Sequence, residues 1–159
     1  MSVNLVVVTV ERLVQSIWAG ALIAIGYIAV PVLFKSIDER KLAGEVAGNI
    51  FSVLNYVGLV AGVLLLVCGL VLAGKSWFKT RRAYALLLML SVVLISLLVL
   101  QPMMQDLKSA GLVFGSEAAR QFGQLHGLSS VLYVVLSLLG LYMASGSTSL
   151  KINIRATES

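Results

Sequence analysis

Polar side chains inside apolar segments are the residues of this sequence most able to do chemistry, because placing them in hydrocarbon is costly. Four apolar segments each contribute at least one, at similar depth near the same end: Tyr27, Asn55, Tyr56, Gln101 and His126. Hydrocarbon offers no hydrogen-bond partner, so such a cluster must be satisfied by the protein, a ligand or water. We therefore predict that any ligand chemistry occurs in this outer-leaflet cluster.

His126 has the widest chemical range in the cluster. A neutral imidazole can bind a soft metal or haem iron, or it can move protons. Together with Met103 and Met104, His126 forms a soft ligand set that would suit Cu(I). The alternative is a hydrogen-bonded packing network in which His126 contacts a tyrosine, an amide or a carbonyl. We favour this network and predict no cofactor and no metal, with copper or haem as the alternative.

Signatures of an enzyme are missing from the sequence. His126 is the single histidine, and no apolar segment contains a carboxylate that could orient it. Nucleophile-elbow, zinc-protease and phosphate-loop motifs are absent. Cys68 is the only cysteine and reads as a small core residue. Glu11 and Arg12 are expected to neutralise one another at the membrane interface, so we predict that the protein is not an enzyme.

The spacing of charges predicts the elements that position these residues. The chain of 159 residues is 59% hydrophobic and 12% charged, with a mean hydropathy of +0.99, which excludes an ordinary soluble globule. Four stretches of 22, 29, 23 and 30 residues contain no Asp, Glu, Lys or Arg, and about 20 apolar residues suffice to cross a membrane as a helix. We predict an all-α, polytopic four-transmembrane-helix bundle, with a transmembrane domain over 1–145, a polar tail over 146–159, and helices at about 13–34, 49–73, 83–104 and 122–145.

The net charge of +5 resides mainly in the segments between these helices. It forms no basic amphipathic face, so no nucleic-acid partner is expected. Seven Lys and Arg residues flank the helices on the side of the termini, against five on the other side. The positive-inside rule therefore predicts cytoplasmic N- and C-termini in a plasma membrane of the bacterial inner-membrane type. Trp77 and Phe78, between basic residues, are predicted to anchor at the membrane interface.

Two local signals refine the helix ends. Ser116 is a candidate N-cap, and the segments before helices 2 and 4 have helical spacing. Helices 2 and 4 are therefore expected to begin one or two turns outside the membrane. Pro102 is expected to bend or end helix 3, because its ring removes a backbone donor.

Small residues recur at helical spacing, which is typical of close helix contacts in membranes. Gly20 and Ala24 form such a stripe on helix 1, and Gly58 and Gly62 form a GxxxG pair on helix 2. A further stripe precedes helix 2: Gly44 and Gly48. These stripes predict helix packing within one chain, with a homo-oligomer interface as the alternative.

An internal repeat emerges when the chain is aligned with itself at an offset of 71 residues. Pro31 then matches Pro102, Asn55 matches His126, and 31–73 contains 11 identities. An even number of helices separates the copies, so the two helical hairpins would be parallel, related by a pseudo-two-fold axis along the membrane normal. A chance match in a chain rich in Leu, Val, Ala and Gly stays open as the alternative.

Three segments carry a resemblance to a known family: QSIWAGALIAIGYIAVPVLF from residue 15, AGEVAGNIFSVLNYVG from residue 43, and QFGQLHGLSS from residue 121. They resemble the uncharacterised four-helix membrane family that includes human transmembrane protein 205 and bacterial members in a domain-of-unknown-function group. The resemblance covers about 12–143 and implies a plasma-membrane protein without assigned chemistry. A fainter similarity, in the Trp–x–Gly of helix 1, points to copper-resistance and haem-pathway four-helix proteins.

The sequence favours a non-enzymatic membrane protein that acts by helix packing or by contact with lipid or a partner. Its expected partners are membrane lipid, a second copy of the chain, or another membrane protein. The alternatives are a copper- or haem-handling protein using His126, and a small-solute or drug-resistance transporter. Proton-coupled transport requires a carboxylate deep in the membrane. Glu11 is the one candidate, and it would favour transport if it lay several turns below the interface and faced a water-filled cavity.

Overall fold

Four long helical spans make up the described part of the chain, which is residues 3–109, 111–113 and 115–146 of a computed structural model. No strand occurs in these residues, and all four spans are long and apolar enough to cross a membrane. This confirms the predicted all-α, four-span fold class. We number the spans 1 to 4: Asn4–Ser36, Arg40–Lys79, Arg81–Ser109 and Glu117–Ser145. All of the predicted tail except residue 146 lies outside the described residues.

Two of the spans are built from several helical segments. Span 1 contains α1 (Val3–Ile23), a π-helical turn (Ala24–Ala29) and α2 (Val30–Ser36). Span 2 is α3 (Arg40–Ala73) followed by a 3₁₀ turn (Gly74–Lys79). Span 3 contains α4 (Arg81–Ile95), a π-helical turn (Ser96–Leu100) and α5 (Gln101–Ser109), and span 4 is α6 (Glu117–Ser145).

The helices extend beyond the predicted boundaries. Span 1 is already helical at Val3, because the apolar stretch before Glu11 continues the helix. Span 2 begins at Arg40, and span 4 begins directly after Ser116. The Ser116 cap is confirmed, since its hydroxyl accepts a hydrogen bond from the backbone N–H of Ala119 at 3.1 Å.

Helix 3 does not end at Pro102, one of the two outcomes that the sequence predicted, but continues to Ser109. A proline ring collides with the carbonyl four residues earlier and cannot donate to it. A π-helical turn lies immediately before Pro102, and another lies before Pro31. These wider turns allow both helices to pass their proline.

The first π-helical turn is supported from span 4. The Tyr133 hydroxyl donates a hydrogen bond to the Leu22 carbonyl just before the turn, at 2.6 Å. Gly26, inside the turn, leaves room for the Tyr133 ring, which a Cβ at that position would overlap. Backbone groups freed by irregular turns in membrane helices are commonly bonded again by neighbouring side chains in this way.

The repeat predicted at an offset of 71 residues has counterparts in helix geometry and burial. Both prolines follow a π-helical turn. Trp18 and Met89, separated by this offset, are both fully buried, and so are Leu22 and Val93. These recurrences support the predicted pseudo-two-fold relation between the hairpins.

Spans 1 and 3 lie diagonally across the bundle, and each packs against spans 2 and 4. The core between the spans is apolar, with Leu22, Leu86, Met89 and Val93 as its largest fully enclosed side chains. Many other large apolar residues face outward, where a soluble protein would be polar. This surface is suited to lipid chains.

The predicted small-residue stripes have different surroundings. Gly58 lies under Trp18, and a Cβ there would be 3.1 Å from the indole nitrogen, while Gly62 lies under Leu90. The GxxxG pair is thus used inside the chain. Gly20 and Gly44 have no such neighbour within 4 Å, and Ala24 is exposed. Span 1 instead turns Trp18, Ala19 and Leu22 inward, so the Gly20 stripe seats no described helix of this chain.

Trp77 does not lie at the membrane surface as predicted. Only 2% of it is exposed, and its indole packs against Gly69 inside the bundle. Gly74 precedes it with φ of +57°, a conformation that glycine adopts without strain. The 3₁₀ turn that follows folds the indole back under the helices. Phe78 is exposed, and its interfacial role stays a prediction.

Replacing Gly69 tests the Trp77 contact. We expect Gly69→Ala to lower the stability by about 1–3 kcal/mol, because the added methyl overlaps a buried indole. Gly20→Ala is the matched control, and we expect it to be neutral or to stabilise by up to about 1 kcal/mol through helix propensity. Thermal unfolding in detergent measures both. Equal unfolding temperatures for the two variants would contradict the packing of Trp77 against Gly69.

Candidate functional site

The structure does not gather the five predicted cluster residues around one point. Tyr27 is exposed, with its ring centre 6.2 Å from that of Tyr133. Tyr56 is 62% exposed and lines an apolar groove on the lipid-facing side. His126 is exposed and stacks on Phe122, with ring centres 6.1 Å apart. Asn55 is partly buried, and Gln101 joins a separate cavity.

That cavity, which we call the polar cleft, has a volume of about 290 Å³ and lies between spans 2 and 3. Each span contributes four residues at positions i, i+3, i+4 and i+7, which share one face of a helix. Span 2 contributes Glu45, Gly48, Asn49 and Ser52. Span 3 contributes Gln101, Met104, Gln105 and Lys108. Two polar helix faces therefore lie opposite each other.

The π-helical turn in span 3 determines which residues reach the polar cleft. It ends at Leu100, so the cleft residues of span 3 begin with the next residue, Gln101. A π-helical turn has i→i+5 hydrogen bonds and such turns frequently mark functional sites. It alters the rotation of the helix beyond it, and Met104 then lines the cleft while Met103 is exposed.

A hydrogen bond joins the two walls of the polar cleft. The Ser52 hydroxyl is 3.1 Å from Gln101 Oε1 and 3.1 Å from the carbonyl of Gly48. A hydroxyl has one proton, so these two acceptors share it. Gln101 Oε1 is thus engaged in the wall, which leaves its amide nitrogen as a donor at the cleft.

Lys108 supplies the positive charge of the polar cleft. Its ammonium is 3.4 Å from the Gly44 carbonyl and 5.6 Å from the centre of the Phe122 ring. A Cβ on Gly48 would be 3.6 Å from the same nitrogen. The carbonyl and the ring hold the ammonium beside the cleft, and the small Gly48 leaves it accessible.

Sequence reasoning identified part of this cleft. Gln101, Met104 and Gly48 were singled out, each for another role. Four lining residues were missed: Glu45, Asn49, Ser52 and Lys108. Their signal was present, because polar residues recur at i, i+4 and i+7 in both segments.

Glu11 has a different partner and environment from those predicted. It was expected at the interface beside Arg12, but it is 3% exposed and lies 3.8 Å from the guanidinium of Arg82. Gln15 bridges the pair, since it donates to Glu11 at 3.2 Å and accepts from Arg82 at 2.9 Å. Arg82 also donates to the carbonyl of Met143 at 3.0 Å. This network connects spans 1, 3 and 4.

Glu11 lies well inside its helix. It follows Val3 by eight residues, which corresponds to about 12 Å along the helix axis. Its second oxygen, Oε2, is buried without a hydrogen-bond partner among the described residues. Neither the polar cleft nor the apolar groove is lined by Glu11. The carboxylate is therefore deep, as the transport alternative requires, while both described cavities lie elsewhere.

The predicted soft ligand set is spread over different surroundings. His126 and Met103 are exposed, and Met104 lines the polar cleft. Within the described ranges, no group of three or more His, Cys, Asp or Glu residues could hold a metal ion. Cys68 is buried, in line with its interpretation as a core residue.

The fold and these sites define the class as a multi-pass membrane protein with four apolar helices. Residues 13–113, more than half of the chain, match the model of the family described as Domain of unknown function (DUF4149), and the chain belongs to this family. No curated protein and no solved structure matches the chain.

Substitution of Glu11 tests the buried network. We expect Glu11→Gln to destabilise the protein by about 3 kcal/mol, the lower end of the range for breaking a buried ion pair, because Arg82 keeps its charge. The double variant Glu11→Gln/Arg82→Gln should recover part of this loss. Glu117→Gln, which breaks an exposed pair with Arg120, is the control and should cost less than about 1 kcal/mol. Unfolding in detergent gives all three values, and a Glu11→Gln effect no larger than the control would contradict the network.

Proposed function

We propose that this protein is a non-enzymatic membrane component that acts by contact with lipid and with neighbouring membrane segments. The observation that carries the proposal is the position of the polar cleft. It opens between the ends of two helices that are longer than the hydrocarbon layer is thick. Its polar residues therefore lie at the level of lipid headgroups.

Helix length supports this depth. The helix α3 has 34 residues, or about 51 Å at 1.5 Å per residue, against about 30 Å for the hydrocarbon core. About 20 Å of helix therefore extends beyond the core. The cleft residues of span 2 run from Glu45 to Ser52, close to the helix start at Arg40. This places them outside or at the edge of the hydrocarbon.

The chemistry of the polar cleft favours binding over catalysis. Ser52 is its only hydroxyl nucleophile, and its proton is shared between an amide oxygen and a backbone carbonyl. Neither group accepts a proton as a general base would, and activation of a serine requires such a base. The remaining polar groups of the lining are amides and two opposite charges, which suit recognition.

The apolar groove supports contact with lipid chains. It has a volume of about 390 Å³ and lies between spans 1 and 2, with the following lining: Val14, Ile17, Trp18, Tyr56, Val57, Val60, Ala61 and Leu64. Apart from the indole and phenol groups, this lining is entirely aliphatic. A groove of this kind on the outer surface of a transmembrane bundle suits an acyl chain.

We also propose a plasma-membrane location with both termini in the cytoplasm, supported by the excess of Lys and Arg on that side. Kinship with the family that includes human transmembrane protein 205 is part of the proposal. Its support is that the shared motif residues occupy structural positions. Trp18 is buried in the core, and Pro31 follows a π-helical turn.

The proposal predicts that bound phospholipid stabilises the protein. Removing lipid by extended detergent washing should lower the unfolding temperature, and adding phospholipid should restore it, because a ligand that binds only the folded state stabilises that state. Phosphorus analysis should find phospholipid retained after mild purification. A protein that retains none, and whose unfolding temperature does not respond to added lipid, would contradict lipid contact as its function.

A second candidate function is proton-coupled transport of a small solute, which the depth of Glu11 favours. In vesicles containing a pH-sensitive dye, the first proposal expects wild-type protein to move protons no faster than empty vesicles. A wild-type flux that Glu11→Gln abolishes and Glu117→Gln retains would instead establish the transport alternative. Glu117→Gln controls for the loss of one carboxylate at an exposed position.

A further inference from the structure

We infer that the polar cleft is a binding site for a zwitterionic phosphoethanolamine group, in which Lys108 binds the phosphate and Glu45 binds the ammonium. This inference rests on the proposed lipid contact and specifies the ligand chemistry of the same site. The shared chemistry has two possible sources, a phosphatidylethanolamine headgroup and a free phosphoethanolamine compound.

The charges of the polar cleft carry the first step. Glu45 and Lys108 line the same cavity, yet no ion pair joins them among the described contacts. A ligand with one charge would satisfy one of these groups and oppose the other. A zwitterion with separated charges pairs with both, so the cleft is complementary to a neutral ligand that carries two opposite charges.

The Lys108 ammonium is prepared for an anion. It has three donors, and one of them is directed to the Gly44 carbonyl at 3.4 Å. The Phe122 ring lies on one side, with its centre 5.6 Å away. Two donors stay available for phosphate oxygens, and the absence of a side chain at Gly48 leaves the approach open.

The other end of the ligand needs hydrogen-bond acceptors. A primary ammonium offers three N–H donors, and the cleft supplies the Glu45 carboxylate with the amide oxygens of Asn49 and Gln105. A quaternary choline ammonium has no N–H donor and cannot use these acceptors. The cleft should therefore distinguish ethanolamine from choline.

Size and depth agree with a headgroup. The cleft volume of about 290 Å³ is near the lower end of the range of about 300–1,000 Å³ for ligand pockets. The space suits a headgroup while the acyl chains stay in the membrane. Met104 gives the cleft an apolar wall for the methylene groups next to the phosphate.

Native mass spectrometry of the detergent-purified protein tests the inference. Phosphatidylethanolamine, phosphatidylglycerol and phosphatidylcholine with identical acyl chains are titrated in turn, and glycerophosphoethanolamine forms a separate soluble arm. We expect phosphatidylethanolamine to bind about tenfold more tightly than the other two lipids. Competition by the soluble compound at similar concentration would identify a free ligand, whereas binding of the lipid alone would identify the headgroup. Both results support the phosphoethanolamine site.

Two charge-removing variants separate the two ends of the ligand. Lys108→Gln should weaken binding of phosphatidylethanolamine and phosphatidylglycerol alike, by about tenfold, because both contain the phosphate. Glu45→Gln should weaken phosphatidylethanolamine and leave phosphatidylglycerol unchanged or tighter. Lys41→Gln and Glu39→Gln, exposed at the same end of the bundle, remove the same charges outside the cleft. They should change binding by less than twofold.

The outcomes distinguish this inference from the proposed function. If all three lipids bind equally, or if Glu45→Gln leaves the preference for ethanolamine intact, the phosphoethanolamine site is overturned while lipid contact stands. If no phospholipid binds, both are overturned. Unfolding temperatures of all four variants verify that they are folded, since every substituted side chain lies on a solvent- or headgroup-facing surface.

Discussion

The absence of hydrogen-bond partners in hydrocarbon is the constraint on which this structure depends. Polar groups within the spans are bonded to one another or to backbone carbonyls. Ser137 donates to the carbonyl of Tyr133, whose hydroxyl in turn donates to the carbonyl of Leu22. The largest such arrangement, around Glu11 and Arg82, joins three of the four spans. Polar side chains thus determine which helices are neighbours, because apolar contacts alone hardly discriminate between protein and lipid.

The same constraint acts on the backbone at the two prolines. Each proline leaves a carbonyl without its helical donor, and each is preceded by a π-helical turn. The turn keeps the span continuous and alters the rotation of the helix beyond it. In span 3 the residues after the turn line the polar cleft. A backbone irregularity required by Pro102 therefore also positions the candidate site, and Gln101 acquires a partner on span 2.

Charge spacing predicted the number of spans, because a membrane helix must be long and apolar. It predicted the depth of polar residues as well, but depth is only one coordinate. Tyr56 and Gln101 have similar depth, yet one faces lipid and the other the polar cleft, since this depends on helix rotation. The rotation of span 3 changes at a π-helical turn that no residue type marks. Glu11 was misplaced because 3–10 continues the helix, which moves Glu11 from the interface into the bundle.

Glu11 and Arg82 are separated by the 71 residues that relate the two hairpins, so their ion pair joins corresponding positions of the two halves. Two identical hairpins paired about a two-fold axis would bring Glu against Glu there, or Arg against Arg, and like charges would repel in a buried setting. The present pair requires halves that differ. Joining both hairpins in one polypeptide permits this asymmetry at a cost no symmetric homodimer could avoid, and it makes the order of the halves chemically distinguishable.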